Sequence, residues 1–473
     1  MSPTAPILII GAGPTGLGAA WRLHELGHTD WHLVEATDTP GGLAGSVTDD
    51  HGYTWDNGGH VQFSHYLYFD RLMDELLREG WIHHERESWV WIMQRFVPYP
   101  FQSNIRRLPP DALWDCVEGL LRRPAPNGRP RPEDFESFIH EFFGDGLAKH
   151  FMTPYNTKVW AHPPRMLATN WVGERVAPVD LDRVLRNIVL QRDDVAWGPN
   201  NTFRFPLHGG TGSIWRTLAA RLPQEKITFN TRLESLDLDR RVARLSDGTE
   251  RLYGALISTI PLDILAEKTG RDDLRAAAKG LLHSATHVIG VGVKGVPSPD
   301  IGEKCWMYFP ESDCPFYRVT VFSNYSPNNV PDITRCWSLM AEISESEHRP
   351  IDTDRVVEET LQGMVNTRLI ASRDDVENVY HRRLPYGYPI PSRTRDGALD
   401  ALLPALHSAG VYSRGRFGAW KYEVSNQDHG LMQGVEIVEH LLNGADEQTV
   451  WQPDFVNQGG AKHRSTDPES VAS

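Results

Sequence analysis

Residues 7–35 carry the clearest chemistry in the chain. The apolar run Ile7 to Ile10 predicts a buried strand, residues 11–16 (GAGPTG) follow it directly, and Leu17 to Leu26 has the pattern of a helix. In such a turn the first glycine allows a tight bend, the second lets the backbone approach a pyrophosphate, and the third packs the helix on the strand. Glu35, after a second predicted strand, can accept hydrogen bonds from ribose hydroxyls. The segment predicts a dinucleotide site, with a glycine-rich turn of another α/β protein as the alternative.

Two further glycine-rich segments follow this site closely. They are residues 41–45 (GGLAG) and 57–60 (NGGH), and each brings backbone close to an extended ligand. A second GxGxxG with its own strand and acidic residue does not occur downstream. The pattern favours one long buried FAD over a nicotinamide dinucleotide.

Bulk composition narrows the classes of partner. The 473 residues are 40% hydrophobic and 23% charged, with a formal net charge of −14. This charge argues against a nucleic-acid partner or an anionic membrane surface, so an anionic substrate would need a local cationic site. The four cysteines show no CxxC spacing, the N-terminus lacks a basic signal region, and no apolar run approaches the roughly 18 residues of a membrane span. We therefore expect a cytoplasmic protein without membrane insertion.

The periodicity of the chain changes along its length. Residues 105–196 have a mainly helical pattern, in which an aromatic stripe from Phe135 to Phe143 is best explained by core packing. From Lys226 the pattern is strand-like, with strands predicted over Thr286 to Val293, Cys305 to Phe309 and Phe316 to Phe322. The first and last portions are expected to form one dinucleotide-binding unit.

A set of longer motifs is spread along the chain: GAGPTGLGAA at 11–20, PGGLA at 40–44, GGHVQFSHYLYFD at 58–70, VPYPFQSNI at 97–105, PYNTKVWA at 154–161, WVGERVAP at 171–178, WGPNNTFRFP at 197–206, ATHVIGVGV at 285–293, KCWMYFPESDCPFYRVTVFSNYSP at 304–327, YHRRLPYGYPIP at 380–391 and SRGRFGAWKYEVSNQDH at 413–429. Through these motifs the sequence closely resembles the eukaryotic-type UDP-galactopyranose mutases over nearly its whole length.

The resemblance implies an α/β fold with a Rossmann-type FAD-binding domain, an inserted helical domain and an antiparallel β-sheet domain. The expected boundaries are 1–85, 197–262 and 406–455 for the FAD-binding domain, 86–104 for a strand contribution to the sheet, 105–196 for the helical domain, 263–405 for the sheet domain and 456–473 for a flexible tail. It also implies a flavin-dependent isomerase that interconverts UDP-galactopyranose and UDP-galactofuranose. In that family UDP leaves as reduced flavin N5 bonds to sugar C1, and NADPH or NADH is the expected reductant.

Arg318 is the first candidate for binding a diphosphate. It lies mid-strand in FYRVTVF, where alternation places Val319 and Val321 on the opposite face. From its sequence position alone, the favoured interpretation of Arg318 is a structural ion pair, because a charged side chain in an aromatic strand should not be buried without a partner. Arginine with tyrosine hydroxyls nevertheless suits a diphosphate. The resemblance implies diphosphate contacts for Arg318 and for Tyr308, Tyr325, Tyr388 and Tyr422. Trp306, which shares its strand parity with Tyr308, is a further predicted substrate contact.

The resemblance assigns further residues to substrate. Arg175 alone would be a solvated surface arginine, but the family's matching arginine closes on the diphosphate from a lid, with Asn200 alongside it. Such closure would exclude water from the reaction. The positions that match uridine contacts are Tyr99, Phe101, Gln102, Phe151, Asn156 and Trp160, although core packing alone could explain Phe151 and Trp160.

His60, Arg175 and Arg318 are the predicted catalytic residues. A lone histidine is usually structural, but the resemblance places His60 beside the flavin, where we expect it to orient or proton-balance the reduced ring rather than to act as a lone general base. The predicted cofactor contacts are Gly11, Gly13, Pro14, Thr15, Gly16, Glu35, Gly42, Leu43, Ala44, Gly58, Gly59, His60, Leu233, Arg416, Asn426 and Gln427, and no metal is predicted.

Departures from the family pattern and competing functions stay open at this stage. Gln62 stands where an aliphatic residue is usual, and Leu207-His208 replaces a pattern that ends in arginine. The short tail leaves a homo-oligomer possible but undefined. The alternatives are an FAD oxidase or desaturase of the amine oxidase and protoporphyrinogen oxidase type, a mutase for another nucleotide-sugar, and a flavin-bound protein without turnover.

Overall fold

The described part of the chain is residues 6–124, 130–195, 198 and 201–462 of a computed structural model. The strands are, in chain order, β1 Ile7–Ile10, β2 Trp31–Val34, β3 Ser46–Thr48, β4 Thr54–Asp56, β5 Trp81–Glu85, β6 Ser88–Ile92, β7 Arg95–Pro98, β8 Thr202–Pro206, β9 Ile227–Thr228, β10 Leu233–Asp237, β11 Val242–Leu245, β12 Glu250–Leu252, β13 Ala255–Ser258, β14 Leu282–Lys294, β15 Trp306–Tyr308, β16 Arg318–Val321, β17 Cys336–Glu345, β18 Val376–Ile390 and β19 Val411–Ser413. The α-helices are α1 Pro14–Glu25, α2 Leu67–Leu77, α3 Pro110–Arg122, α4 Phe135–Leu147, α5 Thr153–Trp160, α6 Leu181–Leu190, α7 Gly212–Arg221, α8 Leu262–Lys268, α9 Asp272–Ala278, α10 Phe322–Tyr325, α11 Val356–Asn366, α12 Arg395–Ser408, α13 Gln427–Asn443, α14 Gln448–Trp451 and α15 Pro453–Asn457.

A parallel sheet joins the beginning and the end of the chain. Its strand order is β19-β13-β1-β2-β9, and all neighbouring strands run parallel. Every residue of β1 is buried, as expected for a parallel sheet that is covered on both faces. The predicted strand, glycine turn, helix and second strand are therefore confirmed as β1, α1 and β2.

Glycines allow α13 to pack directly on α1. A Cβ atom added to Gly434 would lie 2.0 Å from the Thr15 carbonyl oxygen, and one added to Gly18 would lie 2.4 Å from the Leu431 carbonyl oxygen. Only glycine fits such a close approach of two backbones. The packing places the first turn of α13 next to the glycine turn at the N-terminus of α1.

A seven-stranded sheet forms the second large layer, in the order β18-β14-β17-β16-β15-β6-β7. As predicted, this sheet is mainly antiparallel, and its one parallel pair is β6–β15. Val319 and Val321 pack in an apolar cluster with residues of α11, whereas Arg318 faces the other side, as the alternation predicts.

The helices α3 to α6 lie between residues 105 and 196 and build a core of their own. The predicted aromatic stripe is confirmed as core packing, because Phe135, Phe138 and Phe143 are buried in it. Gly144 breaks α4 with a φ of 76°, a conformation that glycine adopts without penalty. This helical layer also contacts Tyr308 and Tyr388 of the sheet, so the two layers meet at the predicted substrate residues.

The C-terminal end of the described residues is more ordered than the sequence predicts. The expected flexible tail begins at residue 456, but Val456 is buried in α15, where it packs on the core of the parallel sheet. The sequence interpretation was wrong there because it counted polar residues and overlooked the apolar anchor; residues 463–473 lie outside the described residues. The four cysteines are all free and buried, and no described helix has the length and apolar character needed to cross a membrane.

Candidate active site

The glycine turn holds Glu35 in place at the end of β2. The Ala12 backbone N–H donates to Glu35 Oε2 at 2.7 Å, and the Thr37 backbone N–H donates to Glu35 Oε1 at 2.9 Å. Gly11 has a φ of 101°, so the turn requires a residue without a side chain. The carboxylate predicted to bind ribose is thus fixed next to the N-terminus of α1.

Three glycine-rich segments converge at this turn. A short 3₁₀ turn, Gly42–Ala44, faces Gly13, whose Cα would lie 3.5 Å from a Cβ atom added to Gly42. The Asn57 side-chain amide donates to the Gly42 carbonyl oxygen at 3.1 Å and so ties the Gly58–His60 loop to the same place. The structure therefore brings the predicted cofactor glycines together.

His60 is the last residue of this loop, and the polar atom Nδ1 of its ring is buried. Within the described residues its buried Nδ1 has no hydrogen-bond partner. Burial lowers the pKa of His60 to about 4, although the nearby Glu342 carboxylate opposes the shift. A lowered pKa favours the orienting role over the proton-balancing one, because such a ring is not poised to exchange a proton near neutral pH.

Arg318 makes the ion pair that its isolated sequence position predicts. Its Nε donates to Glu342 Oε1 at 2.7 Å and its Nη2 donates to Glu342 Oε2 at 2.8 Å, across directly paired positions of β16 and β17. Tyr317 donates to the same carboxylate at 2.8 Å. Burial alone would raise the pKa of Glu342, but Arg318 and these donors hold that pKa below its ordinary value. In the described structure Nη1 of Arg318 makes no hydrogen bond, so it stays available to a ligand.

A chain of arginines and tyrosines leads from Arg318 to Arg175. Tyr317 and Tyr388 bring their hydroxyls to 3.2 Å, and the Tyr388 and Tyr422 rings are 6.0 Å apart. The guanidinium of Arg416 lies over Tyr388 at 5.0 Å, and that of Arg175 lies over Tyr422 at 5.6 Å. Three cations thus converge in a chain of net charge −14, which matches the predicted local site for an anion.

The predicted uridine and diphosphate residues share one aromatic wall. The Phe101 and Phe151 rings are 4.6 Å apart, and the Tyr99 and Tyr308 rings are 5.3 Å apart. Residues at the back of the wall are fully buried, whereas its tyrosines are half-buried and therefore face an opening. The half-buried members are Tyr99, Tyr155, Tyr308, Tyr388 and Tyr422.

The side-chain amides of Gln102 and Asn156, both predicted to contact uridine, differ in whether their oxygen atom is already hydrogen-bonded. Gln102 donates from Nε2 to the Ala177 carbonyl oxygen at 2.5 Å, and its buried Oε1 accepts nothing in the described structure. Asn156 instead donates to the Met152 carbonyl oxygen at 2.7 Å and accepts from Trp160 Nε1 at 3.2 Å. An unpaired buried acceptor is costly, so the geometry favours Gln102 over Asn156 as the amide that meets a base.

The Arg175 segment is docked against the rest of the site. Residues Gly173–Arg175 form a 3₁₀ turn, in which Arg175 donates to Asn426 Oδ1 at 3.0 Å and to the Glu423 carbonyl oxygen at 2.8 Å. Without the family resemblance, the sequence predicted that Arg175 is a solvated surface arginine. That prediction is wrong, because its side chain is only 13% exposed. Asn200, the predicted companion of the lid, lies outside the described residues.

A buried ionic cluster anchors the same segment. Glu174 Oε2 lies 3.2 Å from His65 Nε2, and His65 Nδ1 lies 2.7 Å from Asp428 Oδ2 at the start of α13. Burial opposes protonation, but the two carboxylates raise the pKa of His65 to about 9. His429 stacks on His65 with ring centroids 4.7 Å apart, and burial lowers its pKa to about 4. His65 thus bridges the Gly173–Arg175 turn and α13, and its raised pKa favours the protonated ring.

Other residues predicted to contact substrate or cofactor are already hydrogen-bonded within the protein or are buried in its core. Trp306 donates to the Tyr308 hydroxyl at 2.7 Å, and Arg416 donates to the Gly387 carbonyl oxygen at 2.9 Å. Tyr325 is fully buried among Phe203, Phe205 and Phe322, and so lies in the core cluster behind the half-buried tyrosines. Gln427 accepts from Trp215 at 2.9 Å, whereas Leu233 packs in an apolar cluster.

Besides the His65 cluster, sequence reasoning missed three residues that contact the predicted substrate residues directly. Glu342 and Tyr317 complete the Arg318 network, and Tyr155 stacks on Phe151 with centroids 5.2 Å apart. The search for diphosphate ligands considered cations and tyrosines but not the carboxylate that must hold a buried cation. Tyr155 stands inside a quoted motif, PYNTKVWA, and its position next to Asn156 was a usable signal.

The residues present fit a bound FAD. A Cβ atom added to Gly13 would meet only the Gly41 carbonyl oxygen, at 3.9 Å, among the described atoms, so the space over the glycine turn stays open. The buried Nδ1 of His60 and Nδ2 of Asn426 lack partners in the described structure. A bound dinucleotide would occupy the space at the N-terminus of α1 and would supply hydrogen-bond partners for these two buried atoms.

Comparisons with known proteins agree with this geometry. Residues 14–388 match the family model described as flavin containing amine oxidoreductase. The fold alone is shared with a proposed protoporphyrinogen oxidase from an Exiguobacterium species, at 16% identity and a TM-score of 0.71 over 93% of this chain and 99% of that one. It is also shared with a CLA-producing fatty acid isomerase from P. acnes, at 14% identity and a TM-score of 0.61 over 93% and 100% of the two chains.

A much stronger match is to a crystal structure of reduced UDP-galactopyranose mutase. That chain is 50% identical, with a TM-score of 0.93, and the match covers 96% of this chain and 98% of the other. A match over this share of both chains includes the parallel sheet, the seven-stranded sheet and the helical layer. The chain therefore belongs to the UDP-galactopyranose mutase family and, with it, to the flavin containing amine oxidoreductases.

Proposed function

We propose that this protein is a UDP-galactopyranose mutase, which interconverts UDP-galactopyranose and UDP-galactofuranose. The observation that carries the proposal is the convergence of Arg175, Arg318 and Arg416 with half-buried tyrosines next to the Gly58–His60 loop. Such a cluster suits a diphosphate, since arginine offers charge-assisted donors and tyrosine offers neutral ones. Family membership supports the same substrate class.

Reduced FAD, when bound, supplies an electron-rich ring nitrogen that can displace UDP from the anomeric carbon. The protein groups then stabilise the departing charge. Arg318 offers Nη1 from a position fixed by Glu342, and Arg175 approaches from the lid, so both are preorganised for the diphosphate oxyanion. His60 is held neutral beside the glycine loop, where it orients the reacting groups without adding a charge.

Substrate placement follows from the aromatic wall. Phe101 and Phe151 offer ring faces to a base, and the free Oε1 of Gln102 can accept from the N3–H of uracil. Tyr308, Tyr388 and Tyr422 are proposed to donate to the diphosphate. Asn200, Trp306 and Tyr325 remain predicted contacts, as do the FAD contacts at Leu233, Arg416, Asn426 and Gln427.

An oxidase or desaturase is the second candidate, because related folds include such enzymes. The arginine and tyrosine cluster argues against it, since an apolar or amine substrate has no use for several diphosphate donors. We also propose NADPH or NADH as the reductant of the flavin. We further propose that the protein works in a reducing, cytoplasmic compartment, and its four free cysteines support that location.

The test is to incubate dithionite-reduced protein with UDP-galactofuranose and with several UDP-pyranoses, and to separate the products by chromatography. Conversion of UDP-galactofuranose to UDP-galactopyranose is the expected result. Preferential turnover of a UDP-pentose would keep the reaction class and change the substrate. Oxygen-dependent consumption of an amine without isomerisation would favour the oxidase.

A further inference from the structure

Lys158 is a buried lysine that forms no ion pair with a carboxylate among the described residues. Its Nζ donates to the Glu311 carbonyl oxygen at 2.8 Å, to the Cys314 carbonyl oxygen at 3.0 Å and to Cys314 Sγ at 3.5 Å. The residue is only 8% exposed, and its burial lowers the pKa of the ammonium group. The equilibrium of this side chain is therefore shifted toward the free amine, which is a nucleophile.

Cys314 presents its sulfur to this amine as a neutral thiol. Its Sγ lies 3.6 Å from the Phe316 carbonyl oxygen, which accepts from the thiol, while Sγ itself accepts from Lys158. Burial raises the pKa of Cys314 to about 12 and so keeps the proton on the sulfur. In the part of the chain that the structure describes, Cys314 is the one cysteine that is hydrogen-bonded to a lysine. The pair is thus a thiol and an amine in direct contact.

Asp313 adds a carboxylate beside the pair. Its Oδ1 is buried and has no hydrogen-bond partner in the described structure. Besides burial, the negative charge of Asp313 raises the pKa of Cys314, although Lys158 opposes the shift, so this carboxylate lies near the sulfur. An acceptor at this position can take up the proton that the thiol loses when the sulfur reacts. Amine, thiol and carboxylate therefore form one group, which the proposed reaction does not use.

The pair connects two elements that also carry predicted substrate residues. Lys158 belongs to α5, as does Asn156, and Cys314 lies in the segment between β15 and β16, shortly before the strand that begins at Arg318. The two residues are 156 positions apart in the chain. A covalent bond between their side chains would hold α5 to this segment and would close a long loop of the chain.

We propose that dioxygen joins Lys158 and Cys314 in a reversible covalent bridge, Nζ–O–Sγ. The amine and the thiol each lose one hydrogen, and N–O and O–S bonds replace the N–H and S–H bonds. One oxygen atom enters the bridge, and the other leaves as water with the two hydrogens. Nitrogen and sulfur each lose two electrons, which together reduce the dioxygen. The sulfur thereby reaches the oxidation level of a sulfenic acid, from which an excess of thiol reductant regenerates amine, thiol and water.

The test keeps FAD-loaded protein in air-saturated buffer, keeps a matched sample without oxygen, and digests both under non-reducing conditions. Mass spectrometry of the aerated sample should find the peptides of Lys158 and Cys314 joined, with their summed mass increased by one oxygen and decreased by two hydrogens. Excess dithiothreitol should separate them. Lys158→Met and Cys314→Ser should abolish the joined peptide. The matched control Cys305→Ser should retain it, because Cys305 is also buried but donates to the Glu85 carbonyl oxygen, at 3.7 Å.

Unfolding in urea gives a second readout. A bridge across this long loop restricts the unfolded chain, so the aerated wild type should unfold at a higher urea concentration than the oxygen-free sample, and dithiothreitol should remove the difference. Separate peptides in the aerated wild type would overturn the bridge, as would a sulfinic or sulfonic acid on Cys314 or a joined mass without added oxygen. The wild-type spectrum decides even if a variant fails to fold. It is also independent of the proposed function, because the bridge needs only these side chains and oxygen.

Discussion

Arg175 lies with its guanidinium carbon 5.6 Å from the ring centroid of Tyr422. The same side chain donates to Asn426 Oδ1 at 3.0 Å, at the N-terminus of α13. One arginine thus touches a proposed diphosphate ligand and a proposed FAD contact. The Gly173–Arg175 turn brings positive charge to the place where nucleotide and cofactor would meet.

Replacing Arg175 by alanine should lower kcat by roughly a hundredfold, the scale for losing one preorganised charge stabiliser. Steady-state assays of dithionite-reduced protein measure the effect. The matched control is Arg165→Ala, since Arg165 is exposed and has no hydrogen bond or ion pair in the described structure. Near-normal turnover of the Arg175 variant would remove it from the catalytic residues.

Two glycines of the cofactor turn should respond differently to substitution. Gly13 has ordinary angles (φ −76°, ψ −177°) and open space, so Gly13→Ala should leave the apoprotein folded but block FAD. A Cβ atom at Gly16 would lie 1.9 Å from the Gly11 carbonyl oxygen, so Gly16→Ala should destabilise the fold itself. Flavin absorbance of the purified variants and urea unfolding of the apoproteins separate the two effects. Full flavin content in Gly13→Ala would contradict the proposed cofactor site.

The His65 bridge predicts a loss of stability in alkaline solution. Its pKa is raised from an ordinary 6.5 to about 9, so its contribution is complete below the ordinary value and is lost as the pH rises through the folded value. The full contribution is roughly 3 kcal/mol. Urea unfolding between these pH values should show a decline in the wild type that His65→Gln lacks.

His162→Gln is the matched control for this titration. His162 is also buried, but burial lowers its pKa, so its removal should leave the alkaline decline unchanged. If His65→Gln declines as steeply as the wild type, the bridge does not carry the protonation that we assign to it.

Gln102 should discriminate between pyrimidine bases. Its free Oε1 can accept from the N3–H of uracil but not from cytosine, which has no hydrogen at N3. We expect Gln102→Leu to reduce the preference for UDP over CDP by about tenfold, as measured by calorimetric titration. An equal loss of affinity for both nucleotides would mean that the side chain only supports the pocket through Ala177.

The parts of the fold that depend on local pattern were predictable from the sequence. The apolar run of β1, the glycine turn and the position of Glu35 specify a parallel strand-helix-strand unit without long-range information. The same holds for the aromatic stripe of α4 and for the alternation that separates Arg318 from Val319. Each is set by residues close together in the chain.

The parts that depend on strand register and distant contacts were not predictable. The pairing of Arg318 with Glu342 requires knowing that β16 and β17 lie side by side in that register. The bridge from Glu174 through His65 to Asp428 joins three segments that are far apart in sequence. Local patterns indicated that Arg318 needed a partner, but they could not identify the partner.

The most direct measurement of the central claim compares the rate of isomerisation by oxidised and by reduced protein. Both samples receive UDP-galactofuranose without oxygen, and UDP-galactopyranose is quantified by chromatography over time. Our account predicts conversion only after reduction of the flavin. Equal rates from oxidised and reduced protein, or no conversion by reduced protein with a full complement of FAD, would contradict it.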